Sequence, residues 1–327
     1  MITAGKAPYL YSWCENHLRI PQTFSGKENG RTHGVAVSRD GRIFVFHQAT
    51  PSVLCFSPQG KLLDIWGVFP GAHGLTLVEE GAEEFLWLTD EFDPVVVKCT
   101  LEGRVRMAIG RPPHPAYASC DYRPTWIAVN TYRGGNGDIW IADGYGAHLL
   151  HRLDAKGNYL QTITGDEGGA GRFNCPHGIA FDPRKFTPEL YIADRGNRRV
   201  QVYDSEGRFL RSFGENFLTS PDGFAFHGDT LIIPELCVRV TLCDARDRLV
   251  ALLGENDDAL KTPGWPEVDR AQILPGRFNS PHGAAADREG NIYIVEWLVG
   301  GRITLLRRLT SASHMQTQPT TTPWHQS

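Results

Sequence analysis

Gly171-Arg-Phe-Asn-Cys-Pro-His-Gly178 and Gly276-Arg-Phe-Asn-Ser-Pro-His-Gly283 are nearly the same eight residues, about a third of the chain apart. Self-similarity of this kind marks a repeat architecture, and weaker copies complete a series. Units begin THGVAV at Thr32, AHGLTL at Ala72, PTWIAV at Pro124, PHGIAF at Pro176, PDGFAF at Pro221 and PHGAAA at Pro281. Each start leads through a polar turn such as RDGR, GNGD or REGN into an apolar run: IFVF, FLWL, IWIA, LYIA, LIIP or IYIV. A third segment ends in a turn, as in VLCFSPQGK and VQVYDSEGR, and a fourth closes on Gly67, Gly110, Gly165, Gly214 or Gly254. Four short strands every ~40–60 residues, with hardly any helical periodicity, predict propeller blades.

Six units predict an all-β, six-bladed propeller of four-stranded blades over residues 1–309. The sixth unit offers three strands, AAAD, NIYIVEW and ITLLRRL. The N-terminal stretch YLYSWCENHLRI from Tyr9 is expected to supply the fourth and close the ring. The tail TSASHMQTQPTTTPWHQS, residues 310–327, is polar and patternless and reads as disordered.

A net charge of −4 over 327 residues argues against a nucleic-acid partner, which calls for a basic face. No window approaches ~18 uninterrupted apolar residues, so no membrane span is expected. The N-terminus has no basic stretch followed by an apolar run, which predicts a cytoplasmic protein. Seven cysteines without a CxxC pair fit reduced, mostly buried thiols rather than a zinc finger. The expected unit is a monomer acting on a small-molecule or peptide-derived substrate.

In a propeller the first strand of each blade lines the central channel, so equivalent residues form a ring. Aligning the six starts puts His33, His73, Thr125, His177, Asp222 and His282 in that ring. Four of six positions are histidine in a chain with twelve histidines, more than a recurring turn motif accounts for. The second strands are expected to add His47, Asp90, Asp143, Asp194, Glu235 and Glu296 near the axis. His73, His177 and His282 lie on alternate blades, so three imidazoles can converge on one metal, the arrangement of a catalytic zinc. His33 would be a fourth ligand or a substrate contact.

DIWIADGYGAHLLHRLDAKGNYLQTITG and ELYIADRGNRRVQVYDSEGRFLRSFG resemble NHL repeats. The order of motifs is similar to peptidyl-α-hydroxyglycine α-amidating lyases: His73-Gly-Leu with Asp90, Arg123-Pro-Thr with Ala142-Asp-Gly-Tyr145, Pro176-His-Gly with Ala193-Asp-Arg195, and Pro281-His-Gly. That resemblance implies zinc on His73, His177 and His282, Tyr145 as base, Arg195 as a site arginine and Arg31 as a further one. The lyases' aspartate after the third histidine, which helps hold a structural calcium, is Gly283 here, leaving calcium open. Their cysteine beside the tyrosine is Gly146, and the pair bracketing ADR is Tyr191 and Val202, so both family disulfides are absent.

The activity implied is cleavage of an α-hydroxyglycine C–N bond to an amide and glyoxylate. The metal would acidify the substrate hydroxyl, Tyr145 would take its proton, and Arg195 would fork onto the carboxylate. Zinc and arginine are expected to lower the phenol for work at neutral pH. The alternatives are a divergent metalloenzyme on another hydroxylated substrate, a calcium-dependent lactonase, and a non-catalytic propeller binding a peptide or protein. Calcium chemistry favours carboxylate oxygens over imidazoles, which counts against the lactonase.

Overall fold

Short β-branched and aromatic runs between glycine turns form six antiparallel sheets in the computed structural model, which describes residues 1–21 and 30–309. Blade one contains Thr32–Val37, Ile43–His47, Val53–Phe56 and Leu62–Trp66, paired in chain order from the axis outward. Blades two to five repeat the pattern from Ala72–Glu80, Trp126–Val129, Pro176–Phe181 and Ala225–His227. The segment opening blade five is less regular than its sequence suggests, with a single bridge from Pro221 to Glu235 before the short strand. The tail at 310–327 lies outside the described residues.

The turns between third and fourth strands need a left-handed residue. Gly60, Gly103, Gly157 and Gly207 supply it, with φ of 81–84°. Blade five has Asp247 there instead, at φ 62°. The strain carries a return: the Asp247 carboxylate accepts from Tyr191 Oη at 2.9 Å and Arg211 Nη2 at 2.8 Å, tying blade five to blade four.

Blade six closes the ring with one strand more than expected. Pro281–Ala286, Ile292–Glu296 and Arg302–Arg308 are joined by Tyr9–Cys14, with Trp13 opposite Leu306, and Thr3–Lys6 adds a fifth, outermost strand. The TAGK segment at Thr3 is too short and mixed to announce itself, and it forms because Tyr9–Cys14 offers a free edge.

The core is divided among the junctions between blades. Phe44, Phe46, Leu86 and Leu88 fill the first junction, Trp140 and Tyr203 the third, and Trp13, Leu253 and Phe278 the fifth. Val45, Leu54, Val295 and Leu305 close the ring between blades six and one. Each large side chain so buried contributes roughly 1.5–3 kcal/mol, so the six junctions share the work of holding the channel rim. Among the described residues no helix is long and apolar enough to cross a membrane.

Candidate metal centre at the propeller mouth

The His-Gly pairs that open blades one, two, four and six have two structural causes. The first is close approach. A Cβ at Gly34, Gly74, Gly178 or Gly283 would come within 2.4–2.5 Å of the next blade's innermost strand. Only glycine lets the inner strands converge this tightly. An aspartate at 283 has no room either: its Cβ would meet the His33 carbonyl at 2.5 Å. The calcium-binding aspartate of the lyases therefore does not fit here.

The second cause is a belt of hydrogen bonds. His33 Nδ1 donates to the Ala72 carbonyl at 2.5 Å, His73 Nδ1 to Thr125 at 2.7 Å, His177 Nδ1 to Asp222 at 2.7 Å and His282 Nδ1 to His33 at 2.9 Å. Thr125 continues it, its hydroxyl donating to the His177 carbonyl at 2.9 Å. Each bond crosses to the following blade. A carbonyl only accepts, so every one of these imidazoles carries its hydrogen on Nδ1 and leaves the Nε2 lone pair unprotonated.

His73, His177 and His282 are fully or almost fully buried, and their candidate ligand atoms lie within 4.8 Å of one another. Three neutral imidazoles, each oriented by a backbone carbonyl, form a donor set suited to zinc or a related borderline cation. His282 Nε2 is buried without a hydrogen-bond partner, as a ligand atom facing a cation would be. Burial is the main force keeping all three pKa values well below the ordinary 6.5, with neighbouring imidazoles and Arg195 adding to it. His33 falls outside this group. It stacks on His282 at 4.5 Å between ring centres, and burial lowers it to about 3.

Tyr145 and Arg195 are brought to the same place. The Tyr145 hydroxyl lies 3.2 Å from His73 Nε2 and 3.1 Å from His177 Nε2. Arg195 Nη2 donates to that hydroxyl at 3.3 Å and to Cys175 Sγ at 3.2 Å, while Nη1 holds Asp222 at 2.8 Å. The protein alone raises the Tyr145 phenol: desolvation outweighs the pull of Arg195, which acts in the expected direction. Asp222 is raised to about 7 by burial, against Arg195. Arg31 sits farther out, paired with Glu267 and over the Trp297 ring at 5.3 Å.

The second-strand acids do not gather at the axis. They lie one strand out, and each braces the loop entering its own blade. Asp90 accepts from the Gly71, Phe92 and Asp93 amides, Asp194 from Asn174, and Glu296 from Asn279 and Ser280. Asp143 accepts from Arg123 and Ala147 amides and from Tyr117 Oη, and so fixes the loop that carries Tyr145. His47 serves a similar local purpose, accepting from the Ala49 amide at 3.1 Å. A buried carboxylate one strand from the axis is better satisfied by amides than by a partner across the channel.

Sequence reasoning missed Trp126. Its ring lies 6.3, 6.2 and 6.3 Å from those of His73, His177 and His282, nearly equidistant, which puts it on the axis and against the trio. It stands where the other five starts have glycine, and that substitution was the available signal. An open cleft of about 450 Å³ lies at the mouth, lined by Arg31, His33, Glu91, Arg123, Tyr145 and Trp297 among others.

The family disulfides are replaced by packing. Tyr191 and Val202 are direct cross-strand partners. Gly146 lies so close to the Asp121 carbonyl that a Cβ would come within 2.4 Å. All seven cysteines are free; three are buried and Cys120 is exposed.

No family model matches the chain. Among curated proteins it is 27% identical over 223 residues to human NHL repeat-containing protein 3, covering 63% of this chain and 62% of that one. It is 25% identical over 261 residues to a probable peptidyl-α-hydroxyglycine α-amidating lyase of Caenorhabditis elegans, covering 71% and 69%. The chain is a six-bladed propeller similar in sequence to NHL-repeat proteins and to an amidating lyase. It spans less than two thirds of the human relative's length. Among solved structures this propeller matches a streptogramin B lyase with a TM-score of 0.60 at 15% identity, over 91% of this chain and 97% of that one. At that identity the likeness is one of fold.

Proposed function

We propose that this propeller is a metal-dependent lyase that splits N-acyl-α-hydroxyglycines into an amide and glyoxylate. The reading rests on one observation above all. The Tyr145 hydroxyl sits at hydrogen-bond distance from two of the three imidazoles and from Arg195. A proton-transfer group, an anion-binding group and a metal-binding set thus share one buried point. The similarity to a probable amidating lyase supports the same class.

His73, His177 and His282 would hold zinc. When bound, the ion supplies Lewis acidity toward the substrate hydroxyl. In the reaction the hydroxyl O–H proton leaves, a C=O bond forms, and the C–N bond breaks with its electron pair passing to nitrogen. The nitrogen takes one proton, so one proton is lost and one gained. Tyr145 is placed to exchange it. Burial raises its phenol and Arg195 pulls the other way; a bound dication would add to that pull and favour the phenolate needed of a base. Arg195, held in position by Asp222, would supply the guanidinium charge for the substrate carboxylate.

On this reading the protein takes no nucleic-acid partner, which its mild acidity supports, and works in a reducing compartment, which its seven free cysteines support. The test is direct: zinc-loaded protein releases glyoxylate from N-benzoyl-α-hydroxyglycine. Full zinc content with no glyoxylate would remove the lyase assignment and leave a metalloprotein of another reaction.

A further inference from the structure

The metal-binding histidines come from blades two, four and six, so the odd blades fill the gaps between them. Blade three contributes Tyr145, whose hydroxyl bridges His73 and His177. Blade five contributes Asp222, clamped by Arg195 and 3.4 Å from His177 Nδ1. Blade one contributes His33, between His73 at 4.8 Å and His282 at 4.5 Å, ring centre to ring centre. Tyr145 and Asp222 are held by Arg195. His33 is held only through Nδ1, by the Ala72 carbonyl.

The other end of that ring has no such partner. Among the described residues His33 Nε2 is buried and makes no hydrogen bond, although the residue lines the cleft at the mouth. The charged groups lining the cleft are paired: Glu91 holds Arg123, and Arg31 holds Glu267. A buried acceptor left unsatisfied is costly, and one in a residue that lines a cleft is the arrangement expected where a ligand's donor completes it. With Nδ1 bonded to a carbonyl, Nε2 is fixed as an acceptor.

We propose that His33 is a specificity-determining hydrogen-bond acceptor beside the metal, selecting ligands with an N–H or O–H donor next to the atom that reaches the metal. The inference rests on the metal reading of His73, His177 and His282. It assigns His33 outside the ligand set and gives the substrate a defined donor. An amide N–H beside a hydroxyl or a carbonyl satisfies it. A simple carboxylate or ether at that position does not.

The test uses cobalt(II) as the metal, whose visible spectrum reports its ligands, with acetohydroxamate and azide as probes. Acetohydroxamate carries an N–H beside its metal-binding oxygen, whereas bound azide carries no hydrogen. His33→Phe keeps the ring and removes the acceptor. Its cobalt content and ligand-free spectrum should match the parent protein, its affinity for acetohydroxamate should fall about tenfold or more, and azide binding should be unchanged. His33→Gln, which restores an acceptor, should recover part of the loss. If the phenylalanine variant does not fold, His33→Ala carries the same comparison. A changed ligand-free spectrum would make His33 a metal ligand and overturn the inference. Equal losses for both probes, or none for either, would overturn it as well. Failure of the parent chain to bind cobalt would instead reject the metal reading itself.

Discussion

His282 Nδ1 donates to the carbonyl of His33, 2.9 Å away across the junction where the ring closes. The bond joins the last blade to the first and turns His282 Nε2 toward His73 and His177. One contact therefore both helps seal the propeller and orients a candidate metal ligand. Removing a ligand histidine should be felt in metal content and in the melting transition together. His177→Ala and His282→Ala are expected to lose the single tightly bound ion, measured by elemental analysis of the purified protein. Full retention by both variants would displace the site.

Tyr145→Phe separates chemistry from binding. The ring keeps its place against the Arg195 and Arg123 guanidiniums, 5.3 and 5.6 Å from its centre. Metal content should stay at the parent level while glyoxylate release falls about 10²–10⁴-fold, the usual cost of losing a positioned proton-transfer group. An undiminished rate would assign the proton transfer to another group.

Acid should destabilise the metal-free protein over a definite range. His33 and His151 are lowered by burial to about 3, and the three ligand histidines also lie well below 6.5. An unfolded histidine binds its proton near pH 6.5, so the unfolded chain binds more protons below that point. Stability is complete above pH 6.5 and is lost as pH falls toward 3. Each such imidazole removes about 1.4 kcal/mol per pH unit within that window. Thermal melts in metal-free buffer from pH 7.5 to 4.5 measure it, and a flat profile would contradict the neutral, buried state of these rings.

Gly283→Ala tests whether the glycine after each ligand is there for close approach. The added Cβ would meet the His33 carbonyl at 2.5 Å and disturb the bond from His282. Overpacking of this kind costs about 1–3 kcal/mol, read by denaturant titration. Gly223→Ala on blade five is the control, since its Cβ would meet nothing closer than 3.5 Å.

Repeat spacing and turn residues carried the fold in the sequence, because each blade is a local unit whose strands pair in chain order. Six blades and the four ring histidines are local or periodic features, and closure through Tyr9–Cys14 follows because the sixth unit is one strand short. What tertiary structure alone decided is how three-dimensional approach sorts equivalent residues. His33 occupies the same register as His73, yet it falls outside the ligand group because blade one sits between two ligand blades. Trp126 reads as one more core aromatic until six inner strands converge and bring its ring equally near three imidazoles. The acids at the second-strand ends share a motif position with the axis residues, but desolvation commits them to nearby amides. Sequence periodicity specifies which face a residue is on; burial and distance between blades, which no local pattern encodes, determine what that residue meets there.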